Sequence, residues 1–197
     1  MENDDLRSPW QRFGHLVEFV GELIKIAVIS TAIIIPVRLF LIQPFYVKGA
    51  SMEPNFYNHE YLIIDEISYR LNEPQRGDII VFRYPKDPTQ FFIKRIIGLP
   101  GDRLVIANGQ VRVFGEQYPS GTLVDESEYL SDSVVTSGVV NQQLGDDQYF
   151  VLGDNRQSSL DSRSFGAIDR DHIVGKAWIR GWPFDKVTVF EAPTYNF

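Results

Sequence analysis

The sequence of 197 residues contains no cysteine, which excludes disulfides, thiolate zinc sites, iron–sulfur clusters and a cysteine nucleophile. Its only histidines, His15, His59 and His172, do not have HxH or HxxxH spacing, so we expect no histidine-built metal site. Basic residues are also scarce, with 19 Lys and Arg against 26 Asp and Glu, which gives a net charge of −7. Because nucleic-acid-binding proteins normally present a basic surface, we expect no nucleic-acid partner.

Apolar residues are plentiful at 44%, and the longest apolar segment runs from Leu16 to Ile42. A helix over residues 26–42 would span about 25 Å, slightly less than a bilayer core, whereas including residues 16–25 makes it long enough. A cleaved signal peptide would need a small-x-small site after the run, and none follows. A buried soluble helix would need a larger apolar core than the remaining chain offers easily. We therefore predict a cytoplasmic tail over residues 1–15 and a transmembrane anchor over residues 16–43.

After Pro44 the apolar pattern changes to short runs separated by turn residues, which is typical of β-strands. Asn108-Gly109 is the strongest hairpin signal, and no segment beyond residue 45 has a helical apolar stripe. We predict a mainly β domain over residues 44–197, with residues 116–148 as an insertion or surface excursion of loop or short-hairpin character. The predicted strands cover residues 45–47, 61–67, 78–84, 91–97, 103–107, 110–114, 149–152, 174–179 and 186–190.

Lys94 is the candidate base, since the chain has no cysteine and no obvious His–Asp pair near a serine. In a strand it would share a face with Phe92 and Ile96, and burial there would lower the pKa of Lys94 from about 10.4. A neutral lysine amine can take a proton from a serine hydroxyl. The alternative is a lysine that protects an exposed edge strand from aggregation, and periodicity alone favours that alternative.

Two polar segments could supply the other groups of such a site. Ser51 lies in the small-residue turn GASMEP, where a nucleophile's hydroxyl would be exposed beside backbone N–H groups, although a lone serine there is usually a cap or turn residue. In the segment 153–166, Ser159, Asp161 and Arg163 would fall on one side of an extended chain. An Asp161–Arg163 ion pair could then support the serine hydroxyl, and the alternative is a solvated loop.

The order and wording of four motifs are more specific than any single residue. They are Ser-Met-x-Pro at 51–54, Arg-Gly-Asp-Ile-Ile-Val-Phe at 76–82, Ile-Lys-Arg-Ile-Ile-Gly-Leu-Pro-Gly-Asp at 93–102 and Gly-Asp-Asn-Arg-x-x-Ser-x-Asp-Ser-Arg-x-x-Gly at 153–166. Together they closely resemble the box motifs of bacterial type I signal peptidases. The resemblance covers residues from about Ile26 to Ile179, without the segment 116–148.

This resemblance implies a fold and a set of site residues. The fold is a coiled antiparallel β-sheet domain behind one membrane anchor, with Ser51 as nucleophile and Lys94 as general base of a Ser/Lys dyad. Ser159 matches the serine that orients the lysine, and Asp161 and Arg163 match the supporting ion pair. The family's small apolar substrate pockets are lined by residues that match Phe45, Val47, Met52, Phe92 and Ile93. One position departs from many relatives, because Gly49 stands where they carry a Ser or Thr that donates to the oxyanion.

The resemblance also implies a substrate and a location. The enzyme would remove N-terminal signal peptides from secretory pre-proteins, cutting after small residues of the Ala-x-Ala type, without a cofactor or metal. Its substrate would lie extended, with alternate side chains entering the pockets. Its single anchor would lie in the plasma membrane with the N-terminus cytoplasmic and the catalytic domain on the extracytoplasmic side, beside the lipid bilayer.

Two other functions are alternatives to a signal peptidase. A self-cleaving SOS-type repressor shares the Ser/Lys dyad, but it would carry a DNA-binding domain in place of the apolar segment at 16–42. A membrane-anchored, inactive scaffold is the alternative from a different class. The presence of both Ser51 and Lys94 opposes the scaffold, since an inactive relative is free to lose either residue.

Overall fold

The computed structural model describes residues 9–40, 42–193 and 195. The chain divides into two units, Met1–Leu41 and Ile42–Phe197. The first unit contains helix α1 (Pro9–Phe40), which includes most of the predicted anchor. No helix in the described part of the chain is both long enough and apolar enough to cross a membrane. The predicted transmembrane anchor over residues 16–43 is therefore not confirmed. Residues 26–42 alone are slightly too short to span a bilayer, and the extension over residues 16–25 that makes the helix long enough contains the charged residues Glu18, Glu22 and Lys25.

The predicted cytoplasmic tail over residues 1–15 is only partly described. Residues 1–8 lie outside the described residues, and the helix already begins at Pro9, within the predicted tail. Large apolar side chains such as Leu16, Phe19 and Ile33 are more than half exposed along this helix.

The second unit, which we call the β unit, is mainly β, as predicted. Its strands pair antiparallel throughout the registers described, in an eight-stranded and a four-stranded sheet. The first sheet has the order β1-β2-β11-β3-β4-β9-β10 with β12 on β11, and the second has the order β7-β6-β5-β8. The strands are β1 (Ile42–Tyr46), β2 (Tyr61–Asp65), β3 (Ile79–Tyr84), β4 (Asp87–Gly98), β5 (Arg103–Ala107), β6 (Gln110–Gly115), β7 (Tyr118–Leu123), β8 (Val140–Gln143), β9 (Gln148–Leu152), β10 (Ile168–Asp169), β11 (Ile173–Trp182) and β12 (Thr188–Val189).

Four short helical segments interrupt the strands of the β unit. They are the α-helices α2 (Ser68–Leu71) and α3 (Ser162–Phe165) and the 3₁₀ turns Arg170–His172 and Phe184–Lys186. The predicted hairpin is confirmed, since Ala107 pairs with Gln110 across Asn108 and Gly109. Both turn residues have positive φ, of 51° and 79°, which Asn and Gly adopt more readily than other residues.

Alternation along β4 distributes its side chains between separate parts of the core, as the sequence predicts. Phe92 and Ile96 pack with the buried cluster that contains Phe82, whereas Ile93 packs with the cluster that contains Val81. Because successive side chains of a strand point to opposite faces, Lys94 shares the face of Phe92 and Ile96. The strand pairs with β3 along most of its length and with β9 from Arg95 onward.

Residues 116–148 are more than the surface excursion that the sequence predicts. The segment supplies both outer strands of the second sheet, β7 and β8, and its loop residues Tyr129 and Thr136 are buried. Glu126 forms an ion pair with Arg156, whose side chain is fully buried. The sequence signal is weak because β7 (YPSGTL) contains Pro and Gly and has little apolar alternation.

Candidate active site

Ser51 lies in the loop that joins β1 to β2. Because the two strands are antiparallel neighbours, the ends of this loop lie together, and the Val47 N–H donates to the Glu60 carbonyl at 2.9 Å. Gly49, with φ of +94°, provides a backbone conformation that other residues rarely adopt. Within the loop, the N–H groups of Asn55 and Phe56 donate to the Met52 carbonyl at 3.0 and 2.9 Å. The serine is thus carried on a tight turn just after an edge strand.

Lys94 reaches this turn from the middle of β4. Its Nζ lies 2.7 Å from Ser51 Oγ and 2.7 Å from the Ile93 carbonyl oxygen. The residue is only 3% exposed. The alternative of an exposed lysine that protects a strand edge is excluded, because Lys94 is buried and its amine lies against Ser51.

The surroundings of Lys94 favour its neutral form. Burial lowers the pKa of Lys94 to about 8, against the opposing influence of the Asp161 and Asp154 carboxylates. With this pKa, roughly a tenth of the amine is unprotonated at pH 7 and able to accept a proton from the hydroxyl 2.7 Å away.

Arg95, the next residue of β4, forms a buried bidentate ion pair with Asp154. Its Nε and Nη2 atoms lie 2.9 and 2.7 Å from the two carboxylate oxygens, and its guanidinium carbon lies 3.9 Å from the centre of the Tyr129 ring. Asn155 follows Asp154 in the sequence and contacts the serine turn. Its backbone N–H donates to the Ser51 carbonyl and its side-chain amide donates to the Ala50 carbonyl, both at 3.0 Å. The segment 153–155 therefore contacts both the serine turn and the lysine strand.

Asp161 and Arg163 form an ion pair beside this segment, with distances of 2.8 and 2.7 Å between the guanidinium and the carboxylate. Burial alone would raise the pKa of Asp161, but hydrogen bonds from Arg163 and from the Gly153 N–H, at 3.1 Å, lower it below its ordinary value. The carboxylate is fully buried and remains charged.

Ser159 is placed differently from what the resemblance implies. Its Oγ is buried and makes no hydrogen bond of good geometry within the described residues, whereas the resemblance implies a bond to Lys94. The hydroxyl lies close enough to Asp161 to help lower the pKa of that carboxyl. Ser159 also packs against Gly153, where an added Cβ would lie 2.1 Å from its Oγ.

An apolar groove of about 350 Å³ opens beside Ser51 and Lys94. Four of the five predicted pocket residues line it, namely Phe45, Val47, Phe92 and Ile93. Met52 does not line the groove, because its side chain is 1% exposed and packs in the core with Phe56. The sequence analysis missed other lining residues, which include Leu62, Val81, Phe91 and Leu160. Two of these lie opposite predicted residues, with Leu62 paired to Phe45 and Val81 to Ile93, so correct strand pairing would have revealed them.

A family model described as "Signal peptidase, peptidase S26" matches residues 20–182, which include all four sequence motifs and every residue of the site above. This chain belongs to the signal peptidase family.

Individual relatives agree with this membership. The probable signal peptidase I-2 of Synechocystis sp. is 40% identical over 172 residues, which cover 84% of this chain and 75% of that protein. The probable signal peptidase I-1 of the same organism is 32% identical over 93% of this chain and 89% of the relative. Signal peptidase IB of Staphylococcus aureus (strain MRSA252) is 34% identical over 91% of this chain and 95% of the relative.

Gly49 stands where the resemblance implies a Ser or Thr in many relatives. Its backbone N–H donates to the side-chain oxygen of Asn58 at 3.2 Å, and without a side chain it offers no hydroxyl to an oxyanion. Stabilisation of an oxyanion at Ser51 would therefore depend on backbone groups of the turn.

One group of side chains in the described ranges has the composition of a cation site, namely Asp169, Asp171 and His172. Their ligand atoms lie within 4.8 Å of one another, and both aspartates are exposed. None of the three belongs to the Ser51 and Lys94 site.

Proposed function

We propose that this chain is a serine endopeptidase that removes N-terminal signal peptides from secretory pre-proteins, with Ser51 as nucleophile and Lys94 as general base. The observation that carries the proposal is the 2.7 Å distance between Ser51 Oγ and the Nζ of a buried lysine. Membership of the signal peptidase family supports the substrate class. An inactive scaffold would have no need to keep a buried amine against a serine hydroxyl.

The geometry supports a two-step reaction. The neutral Lys94 amine accepts the Ser51 proton while Oγ attacks the scissile carbonyl, and backbone N–H groups of the turn stabilise the oxyanion. The resulting ammonium then donates its proton to the leaving amine, which releases the mature protein and leaves the signal peptide as an ester on Ser51. Lys94 next accepts a proton from water, which attacks the ester, and the proton returns to Ser51 Oγ as the signal peptide departs.

The groove supports the proposal of a preference for small side chains. Its walls carry bulky residues such as Phe45 and Phe92, and Phe45 meets Phe91 edge-on with ring centres 5.5 Å apart. An extended substrate lying along β1, which is an edge strand, would direct alternate side chains into this groove. We therefore propose cleavage after Ala-x-Ala, where the residues one and three before the cut enter the groove.

We also propose that the β unit works against the extracytoplasmic face of a lipid bilayer. Tyr46, Tyr61 and Trp182 lie directly opposite one another on adjacent strands and therefore share one face. Each is between 38% and 48% exposed, and Phe184, 76% exposed, packs edge-on against Trp182. Aromatic rows of this kind are favoured at membrane interfaces, and Tyr46 also lines the groove.

Flotation with vesicles tests the membrane proposal. A form without residues 1–43 should bind zwitterionic vesicles, retain weak activity and be stimulated by them. Substitution of Trp182 and Phe184 by Ser should reduce binding. If the truncated form is fully active and monodisperse without any amphiphile, this part of the proposal is wrong.

The enzymatic proposal is tested by incubating the full chain in detergent with a pre-protein that carries an Ala-x-Ala site. Mass spectrometry should find one cut directly after the second alanine. Ser51→Ala should abolish the cut, whereas Ser120→Ala, at an exposed serine of β7, should leave it unchanged. Cleavage by the Ser51→Ala variant at the parental rate would refute the assignment.

A further inference from the structure

Asn55 lies four residues after Ser51, in the turn that carries the serine, and its side-chain amide bonds outside that turn. Nδ2 donates to the Asp154 carboxylate at 2.8 Å and to the Tyr129 carbonyl at 2.9 Å. Both hydrogens of this amide are therefore used by acceptors from two distant segments of the chain. Neither an aspartate nor an aliphatic side chain could replace it, because neither donates two hydrogen bonds.

The first acceptor connects Asn55 to the lysine strand. The Asp154 oxygen that receives the Asn55 hydrogen bond also receives one from Arg95, at 2.7 Å. Arg95 follows Lys94 directly in β4, and its side chain is held in turn by Tyr129. A short path of buried polar contacts thus runs from the serine turn through Asn55 and Asp154 to the strand that carries Lys94.

The backbone of Asn55 is also fixed. Its N–H donates to the Met52 carbonyl at 3.0 Å, and its carbonyl accepts a hydrogen bond from Arg180. Arg180 lies within 2.9 Å of the buried carboxylate of Glu60, at the end of the same loop. The turn is therefore held at both its side chain and its main chain, while no hydrogen bond of Asn55 reaches the groove.

We infer that Asn55 is a positioning residue, which fixes the serine turn to the Arg95–Asp154 pair and thereby sets the distance between Ser51 Oγ and Lys94 Nζ. The inference deepens the proposed function and rests on it. Without these hydrogen bonds the contacts from Asn155 to Ser51 and Ala50 would remain, but the turn would lose its side-chain link to the Arg95–Asp154 pair and Ser51 Oγ could shift relative to Lys94 Nζ. A displacement of about 1 Å at a nucleophile and base can cost about 100-fold in rate.

The inference gives Asn55→Ala a particular kinetic signature. We expect kcat to fall by about 10- to 100-fold, with KM within about twofold, since Asn55 does not line the groove. The pH–rate limb should also move to higher pH. Water admitted around Nζ would reduce the burial that lowers the pKa of Lys94, and Asp154, which already raises that pKa, would lose a donor. The charged groups around Lys94 are otherwise Asp161 and the paired Arg95 and Arg163.

A second variant distinguishes positioning from folding. Asn55→Ser keeps a short donor for Asp154 and should recover a large part of the lost kcat and return the pH limb toward its parental midpoint. Asn141→Ala, at an exposed asparagine of β8, should match the parent in every measurement. All variants are compared as full chains in detergent, with thermal melting recorded for each.

Several results would overturn the inference. One is an unchanged kcat and pH limb in Asn55→Ala. Another is a loss of kcat that is equal in the Ala and Ser variants and parallels the fall in their melting temperatures, while the midpoint of the pH limb is unchanged. That result would give Asn55 a purely structural role. If the parent cleaves no pre-protein, the proposed function fails separately. The inference is then decided by ¹⁵N NMR titration of the Lys94 ammonium, whose signal is assigned with the Lys94→Arg variant. Asn55→Ala should still raise the titration midpoint of Lys94, and an unchanged midpoint refutes the inference.

Discussion

Gly153 and Ser159 are so close that a methyl group on Gly153 would lie 2.1 Å from Ser159 Oγ and 2.5 Å from its Cβ. The same methyl group would lie 2.5 Å from the carbonyl oxygen of Ser51. The first obstacle is the side chain of Ser159, whose Oγ is buried, and the second is the main chain of the serine turn. Glycine is therefore required here by the close approach of three segments, not by its backbone angles.

Gly153→Ala should consequently reduce kcat by at least about 100-fold, because the serine turn must move away from Lys94 to admit the methyl group. Steady-state kinetics on a signal-peptide substrate, together with thermal melting, measures both effects. The matched control is Gly145→Ala, where the added Cβ would meet its nearest atom, in Gln148, at 3.5 Å, an ordinary contact. A fully active Gly153→Ala enzyme would show that the serine turn does not need this packing.

Lys94→Arg should be inactive although it keeps the positive charge. A guanidinium stays protonated at accessible pH and has no lone pair to take the Ser51 proton. In the parent, the rate should rise with pH along a limb with a midpoint near 8, since burial lowers the pKa of Lys94 to about 8. Rates measured between pH 6 and 10 test the limb. Substantial activity in the arginine variant would mean that the amine is not the base.

The strands could largely be predicted from the sequence, whereas the burial of Lys94 could not. The predicted strand at 103–107 coincides with β5, because an Asn-Gly turn sets where it ends. Periodicity alone favours an exposed edge position for Lys94, whereas in the fold its amine is buried against Ser51, which lies 43 positions away in the sequence. Its predicted role came from the motif's resemblance to a family, not from the physical pattern.

The supporting contacts escaped prediction because they join residues far apart in sequence. Asn55 and Asp154 are separated by 99 positions, and no local pattern distinguishes this asparagine from a turn residue. Glu126 lies in a segment without apolar alternation, yet it pairs with the buried Arg156. Met52 was assigned to the substrate pocket by the resemblance, but its side chain turns into the core instead. Such contacts follow from the topology and not from the residue pattern.

Lys94→Met should stabilise the protein at neutral pH. The ordinary pKa of a lysine is 10.5, and burial lowers that of Lys94 to about 8. Below pH 8 the folded state therefore carries a buried ammonium at a cost of roughly 3 kcal/mol. This cost disappears as pH rises from 8 to 10.5, where the folded state binds fewer protons than the unfolded state. Methionine avoids the cost at all pH values.

Chemical denaturation of both forms in detergent, at pH 7 and at pH 10.5, tests this expectation. The methionine variant should have the larger free energy of unfolding at pH 7, and the difference should shrink toward zero at pH 10.5. Comparing the two forms at each pH removes the titration of tyrosines and other shared groups. A difference that is the same at both pH values would show that the ammonium is not destabilised by burial.

The last prediction concerns the size of the residue just before the cut. The groove beside Ser51 has a volume of about 350 Å³, and its walls include Phe45, Phe92 and Ile93. Replacing the alanine before the cut by phenylalanine should lower kcat/KM by more than about 100-fold, because the ring cannot enter while the scissile carbonyl stays at Ser51.

The control uses the alternation of an extended peptide. Phenylalanine two residues before the cut should point away from the groove and leave kcat/KM within about fivefold. Ile93→Ala removes part of one wall and should restore some cleavage of the phenylalanine peptide while changing the alanine peptide less. If kcat/KM is the same for phenylalanine in both positions, the groove does not hold the residue before the cut. The side chain before the cut would then lie outside the groove while the scissile bond is at Ser51 and Lys94.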